Sequence, residues 1–217
     1  MRAMWKAIET GDLDALKKVL AEQPAAAAVR DQQGVSAALR CRYVGRLDLL
    51  DAVLDAKPPL DVFDASALGD VATLATLLAE GADVTVYAGD GFTPLHLAAF
   101  FDSPYAAGLL LRSGADPEAV AVNLSAVRPL HSAVAGRSTG VVTALIAHGV
   151  DVAAPQHGGF TPLMAAAGLG DTDLVDLLLF CGADAAHAAD DGRTAADLAE
   201  AAGHQALAVQ LREGHRL

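Results

Sequence analysis

Three kinds of residue in this 217-residue chain could do chemistry: seven histidines, two cysteines and a set of closely spaced acids. A transition-metal site would need ligands at helical or CxxC-type spacing. His96, His131, His148, His157, His187, His204 and His215 show neither pattern. Cys41 and Cys181 lie far apart, which gives no dense disulfide framework and no metal knuckle. A Cys–His nucleophilic pair would need an activated thiol, and neither cysteine sits in such a context. Asp190-Asp191 is an acid pair in a turn-rich segment, where Asp is favoured for its local hydrogen bonds. No Gly-rich phosphate loop follows a strand. The residues therefore predict no catalytic centre, no metal and no cofactor.

Composition narrows the partner. The formal charge is −12, whereas nucleic-acid binding needs clustered Lys and Arg, and anionic lipid needs the same. A basic protein surface is the complementary partner; a charge of this size also serves solubility alone. Apolar residues make up 53% and aromatics only 5%, so the apolar content is mostly small and helix-favouring. No uncharged apolar run of about 18 residues is present to span a bilayer. The opening segment MRAMWKAIETGDLDAL turns acidic before a signal-peptide core could form. A soluble cytoplasmic protein with reduced thiols is expected. The preference for Arg and Ala points to a GC-rich bacterial genome.

The elements that must position these residues repeat. The string GADV at Gly81–Val84 returns as GADP at Gly114–Pro117, GVDV at Gly149–Val152 and GADA at Gly182–Ala185. Gly114, Gly149 and Gly182 are spaced within two residues of 33. Ahead of these strings run GFTPLHLAA (Gly91–Ala99), VRPLHSAV (Val127–Val134), GFTPLMAAA (Gly159–Ala167) and GRTAADLAE (Gly192–Glu200). Thr93-Pro94 and Thr161-Pro162 start helices, Thr as cap and Pro at the first helical position. Small pairs such as Ala98-Ala99 let neighbouring helices approach. Leu174, Val175, Leu177, Leu178 and Leu179 give a second helix its apolar spacing, and a left-handed glycine ends it.

Period, TPLH start, Ala pair and GAD turn together resemble the ankyrin-repeat family over essentially the whole chain. The resemblance implies an all-α solenoid of about seven helix-turn-helix repeats with short β-hairpin fingers, forming one domain over residues 1–217. The repeats fall at 1–33 (a capping copy), 34–57, 58–90, 91–125, 126–158, 159–191 and 192–217 (a second cap). In the first three copies the pattern is degenerate, with Gly11-Asp12, Ser36 and Gly45, and Asp64-Ala65 and Gly69 marking the register. About nine residues of finger are missing between the second and third copies, at Lys57-Pro58-Pro59, which predicts an open notch beside Arg40, Tyr43 and Asp64. Pro117 to Ser125 is about two residues longer than its counterparts.

The resemblance also assigns roles. His96 and His131 are implied to hydrogen-bond the neighbouring finger's backbone, and Cys41 falls at a core Ala position. Partners of the family contact finger tips and the exposed end of each first helix. Those positions hold Tyr43, Val44, Leu68, Phe92, Phe100, Phe101, Phe160 and Leu169. For Phe92 and Phe160, packing between repeats and partner contact stand as equal readings; Phe100 and Phe101 favour partner contact. The expected function is a monomeric, non-catalytic module binding a protein through its concave face. Two alternatives are an inhibitor or regulator dedicated to one basic protein, and an enzyme or small-ligand receptor using the notch.

Overall fold

The computed structural model describes residues 2–214; His215, weighed above as a ligand, lies outside them. Fourteen α-helices occur among the described residues, and they alternate in two rows. The first row holds α1 (Arg2–Thr10), α3 (Ala37–Tyr43), α5 (Val62–Leu68), α7 (Pro94–Phe100), α9 (Pro129–Ala135), α11 (Pro162–Leu169) and α13 (Ala195–Ala201). The second holds α2 (Leu13–Glu22), α4 (Leu47–Asp55), α6 (Val71–Ala79), α8 (Pro104–Arg112), α10 (Thr139–Ala147), α12 (Thr172–Phe180) and α14 (Gln205–Glu213). Each first-row helix packs on its own second-row mate and on the next first-row helix. From α3 on, first-row helices are seven or eight residues long and second-row helices nine. The first row, whose helices follow the fingers, is the side that the family resemblance expects to be concave.

Local chemistry sets the helix starts. The hydroxyls of Ser36, Thr93, Thr161 and Thr194 accept from amides at the third helical positions, and Asp61 does the same for α5. Pro94, Pro129 and Pro162 occupy the first position, where no amide hydrogen is needed. Between paired helices the chain turns through a left-handed residue: Gly45, Gly69 and Gly170, but Asp102 at φ 52° between α7 and α8. The Asp102 carboxylate accepts the Ser138 hydroxyl at 2.5 Å, which ties this turn to the next repeat.

Among the described residues the fingers are short backbone-closed loops without paired strands on either side. At 31–35, 88–92, 156–160 and 189–193 two backbone bonds close a loop of three residues, as from Ala88 N–H to the Phe92 carbonyl at 2.8 Å and from Gly91 N–H back to the Ala88 carbonyl at 2.9 Å. The finger before α9 closes from Ala121 to Val127 and so encloses five, matching the two-residue excess in sequence. No strand forms among the described residues; one isolated bridge joins Arg30 and Ser36. Bonds confined to the tip are too few for a ladder, since two-stranded ribbons need more pairing to persist.

The core is divided. Met4, Ile8, Leu16, Leu20, Leu49 and Val53 belong to a cluster confined to the first two helix pairs and the segment joining them. A second, larger cluster runs from α5 to α14. A third, small cluster bridges them: Val35, Leu39, Ala67 and Leu97, with Tyr43, Phe63, Phe92 and Phe101 packed around it. The division falls at residues 56–61, where no finger turn intervenes between α4 and α5.

The expected notch is not there. With one finger absent, its two neighbours close on each other across the gap: a Cβ on Gly89 would collide with the Gln33 carbonyl oxygen. The Tyr43 hydroxyl donates to Asp90 at 2.7 Å across the same junction. Arg40 is held by Asp31, and Arg30 by Asp61 at 2.7 Å and by buried Asp64 at 3.1 Å. Asp64 also accepts the Ser36 hydroxyl. Burial, and then the nearby Asp61 charge, push the Asp64 carboxyl above its ordinary value. Asp64 stands where α7 carries His96 and takes over the task of tying neighbouring repeats together. Tyr43 and Asp64, expected to line an opening, instead help seal it, while Arg40 is engaged by the finger of its own repeat.

Candidate partner-binding site

Aligning the first-row helices by their N-caps shows how the concave face is made. One position near each helix end holds Tyr43, Leu68 and Phe100 in repeats two to four, then Ala135, Gly168 and Ala201 in the last three. An earlier position holds Leu97 in α7 and Ser132 in α9. The face therefore changes from large to small side chains between α7 and α9. At that step lies a pocket of about 150 Å³ lined by Tyr43, Phe92, His96, Leu97, Phe100 and Ser132. Beyond it Ala135, Met164, Ala165, Gly168, Leu169, Leu198 and Ala201 line a shallow, open trough.

The residues expected to contact a partner divide by location. Phe100 is 42% exposed and overhangs the pocket, and Val44, the residue after α3, is 45% exposed. Tyr43 and Phe92 are half-buried and form pocket wall. Leu169 borders the trough, and its carbonyl accepts from Arg137 at 2.8 Å. Phe101 turns the other way. Its ring centre is 5.5 Å from that of Tyr43 and 5.1 Å from that of Phe100, and the Arg42 guanidinium lies 4.6 Å over its face. Arg42 also donates to the Phe101 carbonyl at 3.1 Å. Leu68 packs against the core of the first two repeats, and Phe160 against the main core with Arg193 5.4 Å over its ring.

The histidines are structural in geometry. His96 Nε2 lies 3.1 Å from the Val127 carbonyl, which can only accept, so the ring carries its proton there. Its Nδ1 then accepts from the Thr93 amide at 3.2 Å. His131 repeats the arrangement toward the Phe160 carbonyl at 3.4 Å. His187 also reaches the neighbouring finger, at the Gly159 carbonyl, 2.8 Å away, although its sequence position gives no hint of it. Burial lowers both His96 and His131 to about 4, so both are neutral at physiological pH. Cys41 is buried, and desolvation pushes its thiol up to about 11, the opposite of an activated nucleophile. Among the described residues no three His, Cys, Asp or Glu side chains converge so as to hold a metal ion.

Reading the register alone missed Ser132, Leu97 and Asp90. The signal for the first was present: a serine stands where the neighbouring copies have Leu97, Ala165 and Leu198, in a helix otherwise matched to them.

Residues 62–156 and 130–215 match the family described as ankyrin repeats in three copies, which covers well over half of the chain. The chain belongs to the ankyrin-repeat family. Among its curated relatives, human neurogenic locus notch homolog protein 4 is 37% identical over 142 residues, 64% of this chain and 7% of the relative. The mouse B-cell lymphoma 3 protein homolog is 38% identical over 102 residues, 47% of this chain and 22% of the relative. A putative ankyrin repeat protein of fowlpox virus is 33% identical over 111 residues, 51% of this chain and 18% of the relative. This ankyrin-repeat chain thus spans less than a quarter of each. These relatives come from animals and a virus and lend no support to the bacterial source expected from composition. No helix among the described residues is long and apolar enough to cross a membrane.

Proposed function

We propose that this ankyrin-repeat chain is a non-catalytic module that binds a partner protein along its concave face. The observation that carries the reading is the exposed Phe100 ring, set at the rim of an apolar pocket on the concave side. Aromatic residues at such sites act as anchors, each worth about 2 kcal/mol or more, while their surroundings exclude water. Family membership supports the reading, and the neutral histidines and the raised thiol give no group poised for acid–base or nucleophilic work. The working surface comprises Phe100 with Tyr43 and Phe92 beside it, Val44 at one edge and Leu169 at the other. Phe101, Leu68 and Phe160 serve the solenoid itself. The seven helix pairs act as one unit, a cytoplasmic monomer in this reading.

The test is affinity purification on immobilised wild-type chain and on Phe100→Ala, with melting temperature measured for both. A protein retained by the wild type and lost by at least about tenfold on the variant, itself still folded at the assay temperature, supports the reading, since about 1.4 kcal/mol is a factor of ten. Equal retention on both would place the binding surface elsewhere.

A further inference from the structure

The pocket beside Phe100 is small, apolar and set in a negative field, and together these define what it accepts. We propose that it receives one phenyl-sized or branched aliphatic side chain from a partner segment that carries Lys or Arg next to that anchor. The proposal rests on the protein-binding reading above and goes on to name the partner's chemistry.

Size comes first. A cavity of about 150 Å³ lined by leucine and aromatic side chains holds a molecule the size of benzene, whereas sites for free small ligands run to about 300–1,000 Å³. This pocket, of about 150 Å³, therefore fits a side chain and not a cofactor. Its origin is local: the Phe100 ring stands beside Ala135, and Leu97 beside Ser132, so the shortened neighbours leave the space open.

Polarity comes next. The Tyr43 hydroxyl is directed away to Asp90, and His96 spends both ring nitrogens on backbone and on its own helix cap. Ser132 makes no side-chain hydrogen bond among the described residues and is 6% exposed, so its hydroxyl is the one uncommitted polar group in the wall. An apolar occupant leaves few polar groups stranded there.

Charge completes the match. Asp90, joined to the pocket wall through Tyr43, is paired with no cation among the described residues. The finger segments 81–93, 114–128, 149–161 and 182–194 together hold eight carboxylates against two arginines. Those two, Arg128 and Arg193, are already tied to Glu118 and Asp191. The nearest cations are occupied, Arg40 by Asp31 and Arg42 by the Phe101 ring and carbonyl, so the carboxylate excess of the fingers beside a low-dielectric wall favours a cation over an anion. The pocket also spans the division in the core, with Tyr43 on α3 and the remaining walls on α7, α9 and the finger between 88 and 92. An anchor seated there bonds the first two repeats to the rest.

The experiment titrates 3-phenylpropylamine, 3-phenylpropionate and toluene into the ¹⁵N-labelled 217-residue chain and follows backbone amide shifts. The amine and toluene are expected to shift Leu97, Phe100 and Ser132. The carboxylate should bind about tenfold more weakly than the amine at low salt, the gap closing as salt is raised. Ser132→Leu should abolish the shifts by filling the space, and Asp90→Asn should reduce the preference for the amine while leaving toluene unchanged. Circular dichroism checks the folding of each variant, with Ser132→Val replacing Ser132→Leu if the larger residue unfolds the chain. Amine and carboxylate binding alike, or shifts confined to other residues, would overturn the proposal. Probe binding as expected with no protein retained on the wild-type chain would sink the protein-binding reading and leave the pocket standing. A retained protein indifferent to both Ser132→Leu and Asp90→Asn would do the reverse.

Discussion

Phe100 and Phe101 are adjacent and chemically identical, yet the structure gives them opposite jobs, and substituting each by alanine separates them. A fully buried Phe→Ala costs about 3–5 kcal/mol. Phe101 is only half-buried, which scales the packing loss to about 2 kcal/mol. Its contacts with Tyr43 and Phe100 and with the Arg42 guanidinium add to that, aromatic pairs contributing about 0.5–1.5 kcal/mol and an exposed cation–π contact about 0.5–1 kcal/mol. A loss of about 3.5 kcal/mol or more is expected for Phe101→Ala. Phe100, at 42% exposure with one aromatic neighbour and no cation over its ring, should lose less, about 2 kcal/mol. The loss should also be local, because Phe101 belongs to the small cluster joining two otherwise separate cores. The single tryptophan, Trp5, packs on the core of the first two repeats, so its fluorescence reports that part while far-ultraviolet circular dichroism reports the whole. In urea, wild-type transitions should coincide and those of Phe101→Ala should separate, with fluorescence changing first, as weakened neighbour coupling in a solenoid dictates. Coincident transitions in Phe101→Ala, or a Phe100→Ala loss as large as that of Phe101→Ala, would refute the division of labour.

Three further outcomes follow from the same geometry. Gly89→Ala drives a Cβ into the Gln33 carbonyl, so the fingers closing the gap must part; a loss of about 1–3 kcal/mol in urea unfolding is expected, and an unchanged midpoint would mean the gap is not closed this way. His96 and His131 are neutral when folded but protonate near 6.5 when unfolded, so the unfolded chain binds more protons as pH falls. Their stabilisation is complete above about pH 6.5 and is lost toward about pH 4, on the order of 2 kcal/mol per ring between pH 7 and pH 5; His96→Gln should halve that slope of stability against pH, and an unaltered slope would contradict the burial argument. Buried Cys41 should resist Ellman's reagent until urea is added, whereas half-buried Cys181 reacts in the native protein; Cys181→Ser should therefore abolish the native signal, and its persistence would show Cys41 to be accessible.

Much of this was legible in the sequence because repeats impose local rules. Thr93-Pro94 and Thr161-Pro162 announce helix starts, and Gly81, Gly114, Gly149 and Gly182 take the left-handed conformation their positions call for. The two-residue excess before α9 reappears as the wider finger loop. What depended on distance in space was not legible. Loss of a finger at Lys57-Pro58-Pro59 reads as an opening only if its neighbours stay put. Gly89, lacking a side chain, and the Tyr43–Asp90 bond instead let the flanking fingers meet. Likewise, register places Phe100 and Phe101 side by side at a helix end but cannot say which ring turns toward Arg42. The pocket required noticing both a large residue and a missing neighbour, Phe100 against Ala135 and Leu97 against Ser132.

The central claim is that the concave face, and not the outer row of helices, is the working surface. Hydrogen exchange of the chain alone and in complex with its captured partner tests this most directly. Slowed exchange concentrated in the finger segments 86–93 and 119–128 and in α7 and α9, with α4, α6, α10 and α12 unchanged, is the predicted pattern. Protection confined to the second-row helices, with the amides around Phe100 and Ser132 exchanging as before, would contradict it.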